Sequence, residues 1–217
     1  MWPDLETTKD NPRGSIDLGD DHLLLGPKDT SLHNLSVIEQ EALDDFFGDM
    51  DVDRRSVYRW GRLKLPTEQV ARSRWKEADR CSDMAQMDRN VKVSRFTYFL
   101  IPRYTLSLLQ FEYLGNTYFG EVKYYFTRMI EGETRAYALI SPYSLANTYL
   151  LQASHDTLVV CRSHGEDVLL VIDVKVIQSV VAMIPFLYAI DGQNNYYFMV
   201  EKIGLDVLEV ATQDNIE

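Results

Sequence analysis

The fold is decided by residues 121–140, which read EVKYYFTRMIEGETRAYALI. Side chains alternate over residues 121–129, with Val122, Tyr124 and Phe126 on one side and Lys123, Tyr125 and Thr127 on the other. A period of two predicts a β-strand. Residues 131–134, Glu-Gly-Glu-Thr, are typical of a turn, and residues 135–140 form a second apolar run. We therefore predict an antiparallel hairpin over this stretch.

Further apolar runs separated by polar turns predict more strands. They lie at residues 96–101, 104–114, 157–162, 168–174 and 196–201. A turn at residues 163–167 predicts a second hairpin over 157–174. Short strands at regular intervals indicate a mainly β fold, a small antiparallel barrel or sandwich. We expect this domain over residues 96–210, followed by a tail at 211–217.

The N-terminal part differs in composition and in the spacing of its apolar residues. Residues 1–30 are rich in Pro, Gly and Asp, so we expect a flexible acidic arm, a partly disordered extension of the domain. Residues 31–53 are acidic, and apolar side chains recur at helical spacing over residues 31–47. The pattern predicts an amphipathic helix with Ser31 as its N-cap and Gly48 at its end.

Charge divides the chain into three segments. Residues 1–53 hold 14 acids and 3 bases, residues 54–95 hold 5 acids and 12 bases, and residues 96–217 hold 14 acids and 7 bases. We expect residues 54–95 to be a basic, helical linker segment with a helix over 67–80. Six of its residues could contact a nucleic acid, namely Arg62, Lys64, Arg72, Arg74, Lys76 and Arg80. The same charges could instead be neutralised by acidic neighbours, and both interpretations remain open.

Composition excludes several classes of protein. Two cysteines, Cys81 and Cys161, cannot form a disulfide framework and favour a reducing, intracellular compartment. No apolar run reaches the roughly 20 residues that span a bilayer, and the start of the chain does not resemble a signal peptide. We expect no membrane contact.

Catalytic motifs are absent from the sequence. It contains no phosphate-binding glycine loop and no Gly-x-Ser-x-Gly elbow, so we predict no catalytic residue, no metal and no cofactor. Cys161 and His164 have a metal-ligand spacing, but we expect a buried strand cysteine beside an exposed turn histidine. Asp173 lies inside an apolar strand, as the first carboxylate of a metal-dependent nuclease does. Only 44 residues follow it, so this enzyme remains the less favoured alternative.

Aromatic residues are dense between residues 98 and 126. Such a set can stack nucleic-acid bases or hold a methylated lysine through cation–π contacts, although it more often fills a core. We expect Tyr118, Phe119 and Tyr143 to lie in loops and to form any such pocket.

Four segments resemble a known family. They are residues 59–77 (RWGRLKLPTEQVARSRWKE), 120–126 (GEVKYYF), 171–183 (VIDVKVIQSVVAM) and 198–206 (FMVEKIGLD). In type and order they resemble the C-terminal region of proteins of fungal DNA transposons, the Plavaka or Kyakuja–Dileera–Zisupton kind, over about residues 31–210. Residues 120–183 more loosely resemble a bromo-adjacent homology (BAH) domain, a chromatin-associated β-barrel.

The resemblance implies an accessory role. In such proteins the catalytic acids belong to a separate ribonuclease H-like domain, so no catalytic residue is carried over. We expect a nuclear, non-catalytic binding module that contacts nucleic acid or chromatin protein. The alternative is a protein-interaction module that docks a transposase core or a histone tail.

Overall fold

The computed structural model describes residues 11–77, 89–93, 118–187, 189–190, 192–193 and 195–201. This part of the chain is mainly β, and its strands all pair antiparallel, which confirms the predicted class. The strands are β1 (Ile16–Asp17), β2 (Leu23–Lys28), β3 (His33–Asn34), β4 (Ser56–Val57), β5 (Trp60–Lys64), β6 (Val70–Arg72), β7 (Asn90–Val93), β8 (Tyr118–Ile130), β9 (Glu133–Pro142), β10 (Val160–Arg162), β11 (Leu170–Asp173), β12 (Ile177–Pro185) and β13 (Tyr196–Glu201). The helices are α1 (Val37–Phe47), α2 (Arg74–Glu77) and α3 (Thr148–Ala153), with a 3-10 turn at Val174–Val176.

One large sheet contains most of the strands. Its order is β1-β2-β5-β8-β7-β12-β13-β10, while β9 pairs with β8 and β11, and β6 pairs with β5. Strands β3 and β4 form a separate two-stranded ribbon. Among the described residues, no helix is long and apolar enough to cross a membrane.

The predicted hairpin over 121–140 is confirmed as β8 and β9. Glu131 and Gly132 connect the strands and both have positive φ angles, 53° and 83°, as a two-residue type I′ turn requires. The alternation along β8 is interrupted by a bulge, because Val122 pairs with Ile140 and Tyr124 with Leu139. Lys123 is the extra residue.

The bulge assigns neighbouring residues of β8 to different cores. Val122 and Tyr125 pack in a central core with residues of β2, β5, β7, β9 and β12. Tyr124 and Phe126 pack in a helix-side core beneath α1. Phe119, at the start of the strand, belongs to a small core with Cys161, Val181 and Met183. The prediction that Val122, Tyr124 and Phe126 share one face was therefore wrong.

The predicted acidic helix exists, but it begins later than expected. Ser36, not Ser31, is the N-cap of α1, and Ser36 and Glu39 form a capping box. Gly48 ends the helix, as predicted, and its N–H donates to the carbonyl of Asp44 at 2.9 Å. Residues 33–34 are held in β3 by pairing with β4, so they are not available to the helix.

The structure differs from the expected arm and linker. Within residues 1–30, β2 places Leu24 and Leu25 in the interior by pairing with β5, although the surrounding Pro and Gly suggested a loose segment. Within the predicted helix, of which the structure describes residues 67–77, Val70–Arg72 is a strand held by β5 and Arg74–Glu77 is helical. Long-range pairing overrides the local helical pattern here.

The second predicted hairpin was also wrong. Strands β10 and β11 exist, but β10 pairs with β13 and β11 pairs with β9. The last predicted strand is confirmed as β13. The strands predicted at 96–101 and 104–114, and the tail at 211–217, lie outside the described residues.

Candidate functional site

The structure describes five of the six basic residues that were predicted to contact nucleic acid. Arg62 and Arg72 are cross-strand partners on β5 and β6. Nε of Arg62 donates to the carbonyl of Gly26 at 2.6 Å, and Nζ of Lys64 lies 2.5 Å from a carboxylate oxygen of Glu68. Arg72 also has a partner within the protein. All three of these side chains therefore have an interaction partner inside the protein.

The remaining basic residues belong to α2 and its surroundings. The Arg74 guanidinium lies 3.1 Å from the carboxylate of Glu166 and 3.5 Å from that of Glu121. Lys76 also has a partner within the protein. Arg80 lies outside the described residues. Of the predicted nucleic-acid face, Lys64 and Arg74 thus lie beside carboxylates, as the second of the two interpretations left open by the sequence would require.

Glu121 lies at the centre of a group of ion pairs with Arg74, Arg89 and Lys123. Its two oxygens lie 2.7 Å from Nε of Arg89 and 2.8 Å from Nζ of Lys123, the bulge residue. Arg89 also contacts Glu77, a carboxylate that is only 3% exposed. Because buried charges need such partners, these ion pairs hold α2 and the start of β7 against β8.

The predicted aromatic pocket does not form an open site. Tyr118 and Phe119 lie at the start of β8 rather than in a loop, and Phe119 is only 6% exposed in the small core. Tyr143 follows β9, half-buried, and its hydroxyl donates to Oδ1 of Asn90 at 3.0 Å. Burial, together with the charge of Glu121, raises the pKa of Tyr143. Phe119 and Tyr143 do meet, but as core packing.

A different pair of aromatic residues, one exposed and one buried, lies beside a surface lysine. Lys28 at the end of β2 is the cross-strand partner of Trp60 at the start of β5. Its ammonium nitrogen lies 4.5 Å from the ring centre of Tyr58 and 5.7 Å from that of Trp60. Both distances are within the range of a cation–π contact. Tyr58 is 44% exposed, whereas Trp60 is 4% exposed.

Arg59, between these two aromatic residues, has a different environment. Both Nε and a terminal nitrogen of its guanidinium donate to Oδ2 of Asp29, at 2.9 and 2.7 Å, and the group lies 4.9 Å from the ring centre of Trp75. Burial alone would raise the pKa of Asp29, but hydrogen bonds from Arg59 and Ser31 hold it below its ordinary value. Arg59 is therefore fixed by a carboxylate as well as by a ring.

Sequence reasoning missed this group, although a signal was present. Tyr58 and Trp60 are separated by one residue, a spacing typical of extended backbone, although only Trp60 belongs to a strand of the structure. We interpreted residues 54–95 as helical and basic, so this period of two was overlooked. Nothing near Tyr58 in the sequence indicates that Lys28, thirty residues earlier, lies over the rings.

A second unassigned surface is acidic. Residues 37–53 contain seven acids and no base. Burial, together with the charges of Glu41 and Asp44, raises the pKa of Asp45. Arg54 counters part of this charge through an ion pair with Asp44 at 3.1 Å and hydrogen bonds to the carbonyls of Gly48 and Met50.

The residues considered for metal chemistry are dispersed. Cys161 is buried in the small core, as predicted, whereas His164, in the turn that follows β10, is half-buried rather than exposed as expected. Oδ1 of Asp173 accepts the backbone N–H of Lys175 at 2.9 Å, which caps the 3-10 turn. A depression of about 320 Å³ lies beside Asp173 and includes one further acid, Glu133. Within the described ranges, no group of three or more metal-ligating side chains could hold an ion.

Comparison with known proteins gives no relative from which a function could be carried over. No protein-family model matches this chain, and neither the curated proteins nor the solved structures contain a match to it.

Proposed function

We propose that this chain is a non-catalytic binding module, derived from a DNA transposon, whose partner is a basic polypeptide. The four sequence segments that resemble fungal transposon proteins support the origin. A histone tail and a basic segment of a transposase core are both partners of the required charge. Nucleic acid, the other partner that the sequence suggested, is the competing outcome of the test.

The proposal rests on a difference between basic and acidic side chains in how many of them have partners inside the protein. The five described basic residues of the predicted nucleic-acid face all have partners inside the protein. In contrast, Glu41, Asp49 and Asp51 are exposed and form no ion pair with any residue that the structure describes. The charge left accessible around α1 is therefore negative, which favours encounter with a basic partner.

The position of these acids adds to the argument. The last turn of α1 contains no basic residue, and the helix C-terminus carries a partial negative charge that disfavours nearby carboxylates. Burial raises the pKa of Asp45, and the negative charges of Glu41 and Asp44 add to the rise. A cationic partner would relieve this repulsion, and binding would gain free energy from it.

The test compares partners and variants of the full chain by fluorescence anisotropy over a salt series. The probes are a labelled peptide of alternating lysine and glycine, a duplex DNA and a single-stranded DNA. We expect salt-sensitive binding of the peptide, weakened about tenfold at low salt when Glu41→Gln, Asp49→Asn and Asp51→Asn are combined. The matched control combines Glu131→Gln, Glu133→Gln and Asp156→Asn, three exposed acids that belong neither to α1 nor to the segment that follows it.

Two results would contradict the proposal. One is binding of DNA more tightly than the peptide, and the other is an equal loss of affinity in the variant and the control. Point substitutions are preferred to deletion of residues 1–53, because β2 and α1 contribute buried residues to two of the cores.

We also propose that part of the sheet closes into a small barrel, the finer form of the predicted fold. Strands β8, β7, β12, β13 and β10 pair in succession. The segment after β9 then returns to both ends of this series, since the N–H of Tyr143 donates to the carbonyl of Phe119 at 2.9 Å and that of Ser144 to the carbonyl of Arg162 at 2.8 Å. A BAH-like identity for this barrel rests on the sequence resemblance alone.

A further inference from the structure

We propose that the first turn of α1 is the apolar part of an interaction surface. On it, a basic partner polypeptide places a large aliphatic side chain, while the lysines or arginines of the partner face the acids farther along the helix. The inference rests on the proposed function, because it takes the basic partner from there and adds an apolar contact. The surface consists of Val37 and Ile38 in the first turn, followed by Glu41 and Asp45.

Val37 and Ile38 lie in the solvent although α1 has a core beneath it. Val37 is 70% exposed and Ile38 is 44% exposed. The helix-side core contains Leu43 and Phe47 of the same helix but neither of these two residues. Single exposed apolar residues are ordinary on a protein surface. Two adjacent ones on a helix whose other exposed residues are acidic form a local apolar area.

Helix stability does not account for this choice of residues. The first turn of a helix favours acidic side chains, because the free backbone N–H groups there carry a partial positive charge. Val and Ile are also poorer helix formers than unbranched residues. Here the acids come later instead, and the last turn contains no base. Residues that oppose the local preference and gain no packing inside the protein are expected at functional surfaces.

The first turn is fixed before any partner binds. Its acid, Glu39, accepts the N–H of Ser36 at 2.7 Å and the hydroxyl of Tyr124 at 2.8 Å. These bonds attach the turn to β8 and direct the Glu39 carboxylate away from solvent, so the exposed side of the turn is left to Val37 and Ile38. Binding would therefore require little ordering of this surface.

Spacing along α1 defines the chemistry of the partner. Residues three and four apart are neighbours on a helix, so Glu41 follows the apolar pair and Asp45 follows Glu41. Asp45 lies roughly 10 Å from Ile38 along the helix axis, from the rise per residue of an α-helix. An extended chain covers this distance in about three residues. A fitting partner segment therefore carries a large aliphatic residue and, about three residues away, a lysine or arginine.

A second copy of this chain fits the same surface less well. Most contacts between identical chains are twofold and bring the same surface of each copy together. Such a contact over α1 would place Glu41 and the acids after it close to the same acids of the other copy, where like charges repel. Charge complementarity therefore favours the basic polypeptide.

The experiment adds two labelled peptides to the anisotropy titrations of the full chain. In one, the first two glycines of the lysine–glycine peptide are replaced by leucine, and in the other by asparagine, which is similar in size but polar. We expect the leucine peptide to bind about fivefold more tightly than the asparagine peptide. Salt should weaken both peptides but preserve this ratio, because an apolar contact is not screened.

Substitutions locate the contact on the chain. Val37→Ser combined with Ile38→Ser should remove the preference for leucine and change the affinity for the lysine–glycine peptide by about twofold or less. The matched control combines Tyr149→Ser and Leu187→Ser, which remove two exposed apolar side chains outside α1 and should keep the preference. All four side chains are exposed, so we expect both variants to fold, and circular dichroism checks this.

The outcomes distinguish this inference from the proposed function. If the lysine–glycine peptide binds but the leucine and asparagine peptides bind equally, the apolar contact is wrong and the proposed function stands. If no basic peptide binds, both are wrong. Equal loss of the preference in the control variant would also overturn the inference. Self-association of the chain in sedimentation equilibrium that disappears in Val37→Ser with Ile38→Ser would assign the apolar turn to a second copy instead.

Discussion

Helix α1 and the segment formed by β6 and α2 are stabilised in different ways. The first is organised largely within itself, because Ser36 and Glu39 form a capping box and Gly48 closes the last turn. The second depends on distant residues, because β6 pairs with β5 and the side-chain oxygen of Gln69 accepts the N–H of Val180 at 2.8 Å. The comparison teaches that local interactions position the start and end of α1, whereas only long-range pairing makes residues 70–72 a strand.

Both regions nevertheless pack against a core. The largest loss of unfolding free energy should therefore come from substitution of a core residue. Leu43 of α1 is fully buried in the helix-side core. Leu43→Ala should lower the free energy of unfolding by about 2–5 kcal/mol, because it removes buried methyl groups and leaves a cavity. Urea denaturation monitored by circular dichroism measures the change. Ile38→Ala, on the exposed side of the same helix, should cost about 0.5 kcal/mol or less. Equal losses would mean that α1 does not pack as described.

The long-range contact between Gln69 and Val180 should make an intermediate contribution to the free energy of unfolding. In Gln69→Ala, the buried N–H of Val180 loses its acceptor, which should cost about 1–3 kcal/mol of unfolding free energy. The control is Gln178→Ala, which removes an exposed glutamine of β12 and should change stability little. If the two variants were equally stable, the segment would not need its contact with β12, and the contrast with α1 would be lost.

The N-cap contact of Ser36 in α1 should make the smallest contribution to the free energy of unfolding. Ser36→Ala removes the N-cap acceptor and should cost about 1 kcal/mol, as measured by thermal or urea unfolding. Ser31→Ala, at the position that the sequence suggested as the cap, removes a hydrogen bond to Asp29 on the surface and should cost less. A larger loss at Ser31 would show that the helix begins where the sequence predicted.

The same contrast explains how much could be predicted from the sequence. The hairpin of β8 and β9, strand β13 and the end of α1 at Gly48 depend on turns, alternation and caps within a few neighbouring residues, and these were predicted. The pairing of β10 with β13 and of β11 with β9 depends on partners elsewhere in the chain, so a turn between two strands was mistaken for a hairpin. The bulge at Lys123 was missed because its signal is a change of phase within an otherwise regular alternation.

The candidate sites, too, were predicted from the sequence only where they depend on neighbouring residues. The sequence indicated the positive charge of residues 54–95 and also that acidic neighbours could neutralise it. It did not identify Glu121 and Glu166 as partners of Arg74, because both follow it by more than forty residues. It also assigned the surface aromatic site to Tyr118, Phe119 and Tyr143, whereas the exposed ring next to a cation is that of Tyr58. Exposure is a property of the folded surface, and residue type alone does not encode it.

The bulge at Lys123 has a consequence for how the molecule unfolds. Strand β8 places Phe119 in the small core, Val122 and Tyr125 in the central core, and Tyr124 and Phe126 in the helix-side core. No core can therefore lose its packing without disturbing a strand on which the other two depend. We therefore expect the three cores to unfold as a single cooperative unit, since the one-residue bulge lets a single strand contribute to all of them.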